Sequence, residues 1–375
     1  MMFTQRSTLL KKRYRRAKIF QFTSIFTVLL CVLILTTFLL SIAKSAVMPL
    51  RSVEVYLDNN TRIFIQEKLQ HKNIYHYFPR SLKYQLHGND SGWTPVKYDL
   101  KKYHITGIIK NPTLTKDFNK IHRYFIDKQN IRTVFNWKFF TNGNSIYPEI
   151  AGVKSALAGS LLVLIVFVCF TIPIGILVGL YISEFLPQGK RKSIFQINIQ
   201  NLASIPSIIY GIIVLNIFIN TFGFMRSSAL VGGIALSLLI LPMIVMITYN
   251  SASMVPQGYK DSSLALGVSN VQTVFLTTLP LAMPRIITGI LLAIARAAGE
   301  TAPLLMVGLA FFSTSVPSSI TNDAATTLPL QIFLWSGNPQ ESFIEHASAA
   351  ILVFILFLTT INLFVHFIRS KLNKV

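Results

Sequence analysis

The chain has 375 residues, 52% of them hydrophobic, yet carries 35 Lys+Arg against 14 Asp+Glu for a formal net charge of +21. High hydropathy combined with strong positive charge excludes an ordinary soluble domain. It points to a polytopic protein of the lipid bilayer with basic flanks, and not to a nucleic-acid binder.

A membrane-spanning helix needs about 20 apolar residues, and six stretches qualify. The first is uncharged from Ile19 to Ala43 and follows seven basic residues, Arg6, Lys11, Lys12, Arg13, Arg15, Arg16 and Lys18. Its length exceeds that of a signal-peptide core, although small residues around Ala43 to Ala46 resemble a cleavage site, and a retained anchor is the expected outcome. Residues 51–136 are polar and aromatic. Ser52 to Leu57 alternates as a half-buried strand does, and Asp117 to Phe125 patterns as a helix. About 85 residues suffice for a small α+β unit with a modest core. Five of the seven histidines fall in it (His71, His76, His87, His104, His122). Their spacing matches no standard zinc site, so surface or partly buried roles are expected and no metal is assigned. Cys31 and Cys169 lie in separate apolar stretches and suggest no disulfide framework.

The second span follows Lys154 and runs to about Ser183. The third and fourth lie between Lys192 and Lys260, divided near Arg226. The fifth begins after Arg285 and continues past Pro303, and the sixth covers about Ala347 to Phe367. The domains are therefore expected at 1–50 (basic tail and first span), 51–136 (extracytoplasmic segment) and 137–375 (membrane core). Basic residues favour the cytoplasmic side. They place both termini, the Lys190-Arg191-Lys192 cluster and a loop at about 251–285 inside. The segment from Phe311 to His346, which has no Lys or Arg, falls outside. Residues 51–136 are basic yet outside, which long translocated loops tolerate.

The fifth span holds two charges at membrane depth, in the run Ile294-Ala-Arg296-Ala-Ala-Gly-Glu300-Thr301-Ala-Pro303. A charge there costs about 3 kcal/mol on insertion scales. Arg296 and Glu300 are four apart, so on a continuous helix they share a face. Such a pair is either a structural clasp that fixes helix packing or a polar checkpoint on a transport path.

Motifs for catalysis are missing. Gly189-Lys190-Arg191-Lys192-Ser193 lacks the opening glycine of a phosphate-binding loop, and there is no H-E-x-x-H or G-x-S-x-G. No enzyme activity is expected on this chain. Uphill transport would then draw on an ion gradient or on a partner that hydrolyses ATP.

The loop before the fifth span distinguishes these. Asp261-Ser262-Ser263-Leu264-Ala265-Leu266-Gly267 is followed after nine residues by Thr277-Thr278-Leu279-Pro280. This resembles the E-A-A-x-x-x-G…I-x-L-P loop of bacterial ABC importer permeases, which docks into the ATPase subunit. Asp261, Ser262, Ser263, Ala265, Gly267, Leu279 and Pro280 would carry the coupling contact. The departures at Asp261, Ser262, Ser263 and Thr277 conserve size or charge. Within those permeases, Thr288 to Leu304 is similar to the phosphate (PstA-type) subunits. So are Ala203-Ser-Ile-Pro206-Ser207-Ile208 with Gly211, and Leu328-Pro329 with Ile332-Phe333.

The resemblance covers about residues 150–372 and implies an all-α six-span bundle with an ABC permease core in the bacterial inner membrane. It implies import of inorganic phosphate by alternating access, with Arg296, Glu300 and Thr301 on the anion path. The implied partners are a PstC-like second permease, a PstB-like ATPase dimer that holds ATP and Mg, and a PstS-like periplasmic phosphate-binding protein. Another oxyanion (sulfate or molybdate), or a secondary transporter using Arg296 and Glu300 as an ion relay, is the alternative. A sensory or scaffold membrane protein would need no polar path.

Overall fold

The computed structural model describes residues 2–57, 92–96, 131–148, 150–309 and 312–372. The expected helix at Asp117 to Phe125 and the five histidines of residues 51–136 lie outside them.

α1 (Met2–Leu50) is one long helix. From Phe20 to Val47 its Phe, Leu, Ile and Val side chains are largely exposed, and only Ile42 and Ala46 are buried. A helix that is apolar all round and uncovered suits a lipid environment. β1 (Arg51–Leu57) follows at once and is the centre of a three-stranded antiparallel sheet, ordered β2 (Gly92–Val96), β1, β3 (Ile131–Phe135). Val55 pairs with Thr94 on one side and Ile131 on the other. β1 thus covers the stretch whose alternation reads as a strand. The excursion leaves and returns at one point: the Asn136 backbone N–H donates to the Leu50 carbonyl (2.9 Å) and its Nδ2 donates to that of Pro49 (2.9 Å). The short α2 (Lys138–Thr141) then buries Phe139 completely.

The membrane core begins with α3 (Lys154–Leu180), extended by a π turn at Tyr181–Phe185. α4 (Lys190–Ala203) and α5 (Ser207–Val214, with a π turn at Leu215–Thr221) form a pair bent by 92°. α6 (Ala229–Ser253) is the central helix. It is capped by Ser228, whose side chain accepts from the Val231 N–H, and is buried along most of its length. The α3–α6 contact is made by small residues. An added Cβ would lie 2.5 Å from Ile244 Cγ2 at Gly175 and 2.5 Å from Thr248 Cβ at Gly179, so these two glycines four apart let the helices touch.

α7 (Gln257–Ala265) and α8 (Asn270–Thr273) follow, and a π turn at Val274–Thr278 runs into α9 (Leu279–Gly299). Pro280 has no N–H to return to the preceding turn, and the widened π turn just before it absorbs that gap. α10 (Ala302–Met306), α11 (Leu328–Ser336) and α12 (Glu341–Leu372) complete the chain. α12 packs on α1, α9 and α11.

Five helical stretches of the described residues are long and apolar enough to cross a membrane, and the bent α4–α5 pair makes a sixth if counted as one span. Two expectations change in detail. The third span is not straight: it breaks at Ser204-Ile205-Pro206, because Pro206 cannot continue a helix from the residues before it. The fifth does not continue past Pro303. It is helical from Asn270 and stops at Gly299.

Candidate functional site

The loop at 257–280 is an ordered helix–turn–helix. α7 starts after Pro256 and ends in a Schellman turn: the Gly267 N–H donates to the Leu264 carbonyl (3.0 Å) and the Val268 N–H to that of Ser263 (3.3 Å). This turn requires a left-handed residue after the helix, and Gly267 has φ +81. Nothing lies within 4 Å of a Cβ built at Gly267, so glycine is needed there for its backbone angle and not for space inside this chain. α8 then opens with a capping box. The Gln272 N–H donates to Ser269 Oγ (3.4 Å) and the Ser269 N–H to Gln272 Oε1 (3.1 Å).

The two serines at the alanine positions satisfy themselves. Ser262 Oγ donates to the Gly258 carbonyl (2.7 Å) and Ser263 Oγ to that of Tyr259 (3.1 Å). Ser263 Oγ also meets Thr277 Oγ1 at 2.7 Å. Two of the departures from the E-A-A…I-x-L-P pattern therefore contact each other. Asp261 accepts from Gln257 Nε2 (3.0 Å) and stays exposed, as do Ser262, Ala265 and Gly267. Leu279 is half-buried and Pro280 exposed at the start of α9. Tyr259, Leu264, Leu266, Val271, Phe275 and Leu276 are exposed apolar side chains of the same loop, with Leu266 84% exposed. Exposed apolar side chains gathered on one loop are the kind of surface that marks a contact with another protein or with the membrane.

The charged pair lies about 16 Å beyond Arg285 along α9, at the helical rise of 1.5 Å per residue, which is roughly half of a bilayer core. Ala293, Ile294, Ala297 and Ala298 form the buried stripe of α9, while Leu292, Arg296 and Gly299 lie on the opposite, exposed one. Arg296 thus points away from this chain's own core. Glu300 is not on the helix, which corrects the expectation of a shared helical face: its backbone is extended (φ −75, ψ 131). Pro303 lacks the N–H needed to carry the helix onward, so α9 ends and α10 restarts at Ala302.

Arg296 Nε and Glu300 Oε1 still approach to 3.6 Å, with side chains 48% and 23% exposed. At that distance and exposure the pair is a loose ion pair, not a locked one. Arg296 in the last turn also suits the negative end of the α9 dipole. Thr301 is the half-buried N-cap of α10, and its hydroxyl makes no capping bond. The α4–α5 break lies against this one. An added Cβ at Gly211 would sit 2.8 Å from Pro303 Cα and 2.7 Å from Met306 Cβ, so α5 touches α10 directly. Tyr210 Oη donates to the Leu202 carbonyl at the break (2.6 Å), which also accepts from the Ile205 N–H (3.2 Å). Interrupted helices that meet within a bundle are one way in which membrane transporters build a polar path inside a bilayer.

The coupling residues and Arg296 are not brought together. Asp261, Ser262, Ser263 and Ala265 lie on α7 and Gly267 in the turn after it, while Leu279 and Pro280 begin α9 and Arg296 stands in its last turn, so the two groups are linked only through the chain from α7 into α9. One cluster went unnoticed in the sequence, Glu184 with Lys260 and Lys192, because its members are up to 76 positions apart. Among the described residues no group of three or more His, Cys, Asp or Glu could hold a metal ion.

A bundle of long apolar helices, with an ordered helix–turn–helix loop at one end and a helix carrying Arg296 that is interrupted before Pro303, has the architecture of a multi-pass membrane protein. The profile of the family described as "Binding-protein-dependent transport system inner membrane component" matches residues 171–374, and the chain belongs to that family. It is accordingly a multi-pass membrane permease of an ABC importer. Hydrolysis resides on a separate ATPase subunit, and a periplasmic binding protein supplies the solute.

Among its relatives, phosphate transport system permease protein PstA 1 of Mycobacterium tuberculosis is 34% identical over 226 residues, 60% of this chain and 72% of that one. PstA of Haemophilus influenzae is 32% identical over 225 residues, 60% of this chain and 78% of that one. A probable ABC transporter permease, YqgI of Bacillus subtilis, is 33% identical over 235 residues, 58% and 78% of the two chains.

Proposed function

We propose that this chain is a permease subunit of an ATP-driven importer that moves inorganic phosphate into the cytoplasm by alternating access. The observation that carries the substrate is the similarity to PstA proteins across about three-quarters of their length. The chemistry is compatible: phosphate is an anion, and a guanidinium offers it charge and a planar donor fork. Arg296 is the attractor on the path. Glu300, close but not hydrogen-bonded, keeps Arg296 oriented and limits how tightly an anion binds. Thr301 adds a hydroxyl.

Because a charge is costly against lipid, the exposed Arg296 stripe of α9 faces a partner surface or a water-filled path. This supports a PstC-like second permease on that side. Asp261, Ser262, Ser263, Ala265, Gly267, Leu279 and Pro280 make the docking element for a PstB-like ATPase dimer, on which ATP and Mg bind. A PstS-like binding protein delivers phosphate at the other face. Both termini are cytoplasmic in this reading, supported by the basic clusters that flank the spans. Closure of the ATPase dimer pushes on α7 and α8 and tilts α9 as one body.

Two measurements test the proposal. Purification in mild detergent should retain a Walker-motif ATPase. Uptake of labelled phosphate should be competed by unlabelled phosphate and not by sulfate or molybdate. Competition by sulfate would make the chain a permease for another oxyanion. Uptake by this chain without an ATPase would make it a secondary transporter.

A further inference from the structure

α7 follows α6 in the chain after a short break at residues 254–256 and leads through α8 to α9, but no peptide connection joins it directly to α3. A side-chain contact does. Lys260 Nζ donates to both carboxylate oxygens of Glu184, at 2.8 and 2.9 Å, and the two side chains are only 12% and 11% exposed. Glu184 sits in the π turn that ends α3. Its Oε1 also accepts from Ser183 Oγ (2.9 Å), and Ser183 Oγ contacts Ser253 Oγ at the end of α6 (3.2 Å). Lys192 of α4, itself buried, donates from Nζ to the Ser183 carbonyl (2.9 Å) and lies over the Tyr249 ring (5.4 Å). Four helices, α3, α4, α6 and α7, are therefore tied at one point.

Lys260 and Ser263 are three apart, on the same side of α7. The second contact of that side, Ser263 with Thr277, also ends in a π turn, the one leading into α9. Both grips on the docking helix are thus seated in under-wound turns. Such turns recur at functional sites in helices.

We propose that Glu184 and Lys260 are a positioning pair for coupling: the ion pair transmits displacement of the docking helix to α3, while Ser263 and Thr277 transmit it to α9. Without it, ATP hydrolysis on the partner still moves α7, but α3 no longer follows. This rests on the functional reading given above.

The test uses the assembled importer in proteoliposomes with Glu184→Gln, Lys260→Met, the double variant and Lys260→Arg, measuring phosphate moved per ATP hydrolysed. The first three should lose roughly tenfold in that ratio, the scale of a typical coupling free energy, while ATP hydrolysis stays within about twofold. Lys260→Arg should keep the ratio. The double variant is decisive. It removes the burden of an unpaired buried charge, so a merely structural pair would recover in it, and a return to the wild-type ratio would overturn the proposal.

Hydrogen exchange of the 257–265 amides in the isolated chain is a second readout that needs neither substrate nor partner. Exchange should rise in both single variants and in the double, and unchanged exchange would equally overturn the proposal. If wild-type complex hydrolyses ATP but moves no phosphate, the substrate reading fails, and the exchange measurement still decides whether the pair holds α7.

Discussion

Arg296→Gln separates a structural clasp from an anion contact, because the two predict effects of different size on different observables. Arg296 Nε stands 3.6 Å from Glu300 Oε1, beyond hydrogen-bond range, and its side chain is about half exposed. An ion pair so placed contributes about 0–1 kcal/mol, so the variant should insert, assemble and melt close to wild type. A charged hydrogen bond to phosphate is worth about 1.5–3 kcal/mol, which corresponds to roughly a ten- to hundred-fold loss in kcat/KM for uptake. Glu300→Gln leaves the guanidinium charged and should stay within about fivefold of wild type, the range of a loose ion pair. Exchanging the charges, Arg296→Glu with Glu300→Arg, restores any clasp but moves the cation off α9 into the break. It should assemble and fail to transport. The assay is labelled phosphate uptake alongside the melting of the assembled complex. Robust uptake by the exchanged variant, or collapse of the complex in Arg296→Gln, would refute the placement of Arg296 on the anion path.

Three further outcomes follow from the geometry. Gly267→Leu and Gly267→Ala should both impair uptake without blocking insertion, because either side chain strains a φ of +81 at the Schellman turn; normal uptake with ATPase association intact would remove the coupling role. Replacing residues 52–135 by a flexible linker should leave measurable uptake, since none of the assigned coupling or path residues lies there, and complete loss despite correct assembly would make that segment integral to transport. Bonds from the Ser318 side chain and from the Ser319 and Ser318 backbones hold the Asp323 carboxyl below its ordinary range. Its contribution is present above the usual carboxylate pKa of about 4 and is lost as pH falls through the depressed folded value. Proteolysis within 318–323 should therefore accelerate on acidification in wild type and show no such dependence in Asp323→Asn.

The membrane character of the chain is legible from composition, since runs such as Ile19 to Ala43 have no soluble alternative. The helix–turn–helix loop at 257–280 is legible from spacing, because Gly267 and Pro280 each answer a local backbone requirement. The breaks are harder to read. Apolar composition continues across Ser204-Ile205-Pro206, and only Pro206 marks the bend. Arg296 and Glu300 fit helical spacing, but Pro303, three residues further on, ends the helix before Glu300 is reached. The Glu184–Lys260 pair has no local signature, because 76 positions separate its members. The same holds for Ser263 and Thr277, whose substitutions look independent in the sequence and become one contact only when α7 folds back on the turn before α9.

The central claim is that this permease moves phosphate using ATP hydrolysed by another subunit. Labelled phosphate accumulation in proteoliposomes bearing the full importer tests it directly, with ATP supplied to the ATPase and all ion gradients collapsed by ionophores. The account predicts accumulation that persists without gradients and disappears when ATP is withheld or the ATPase is omitted. Accumulation that needs a gradient and ignores ATP would contradict it.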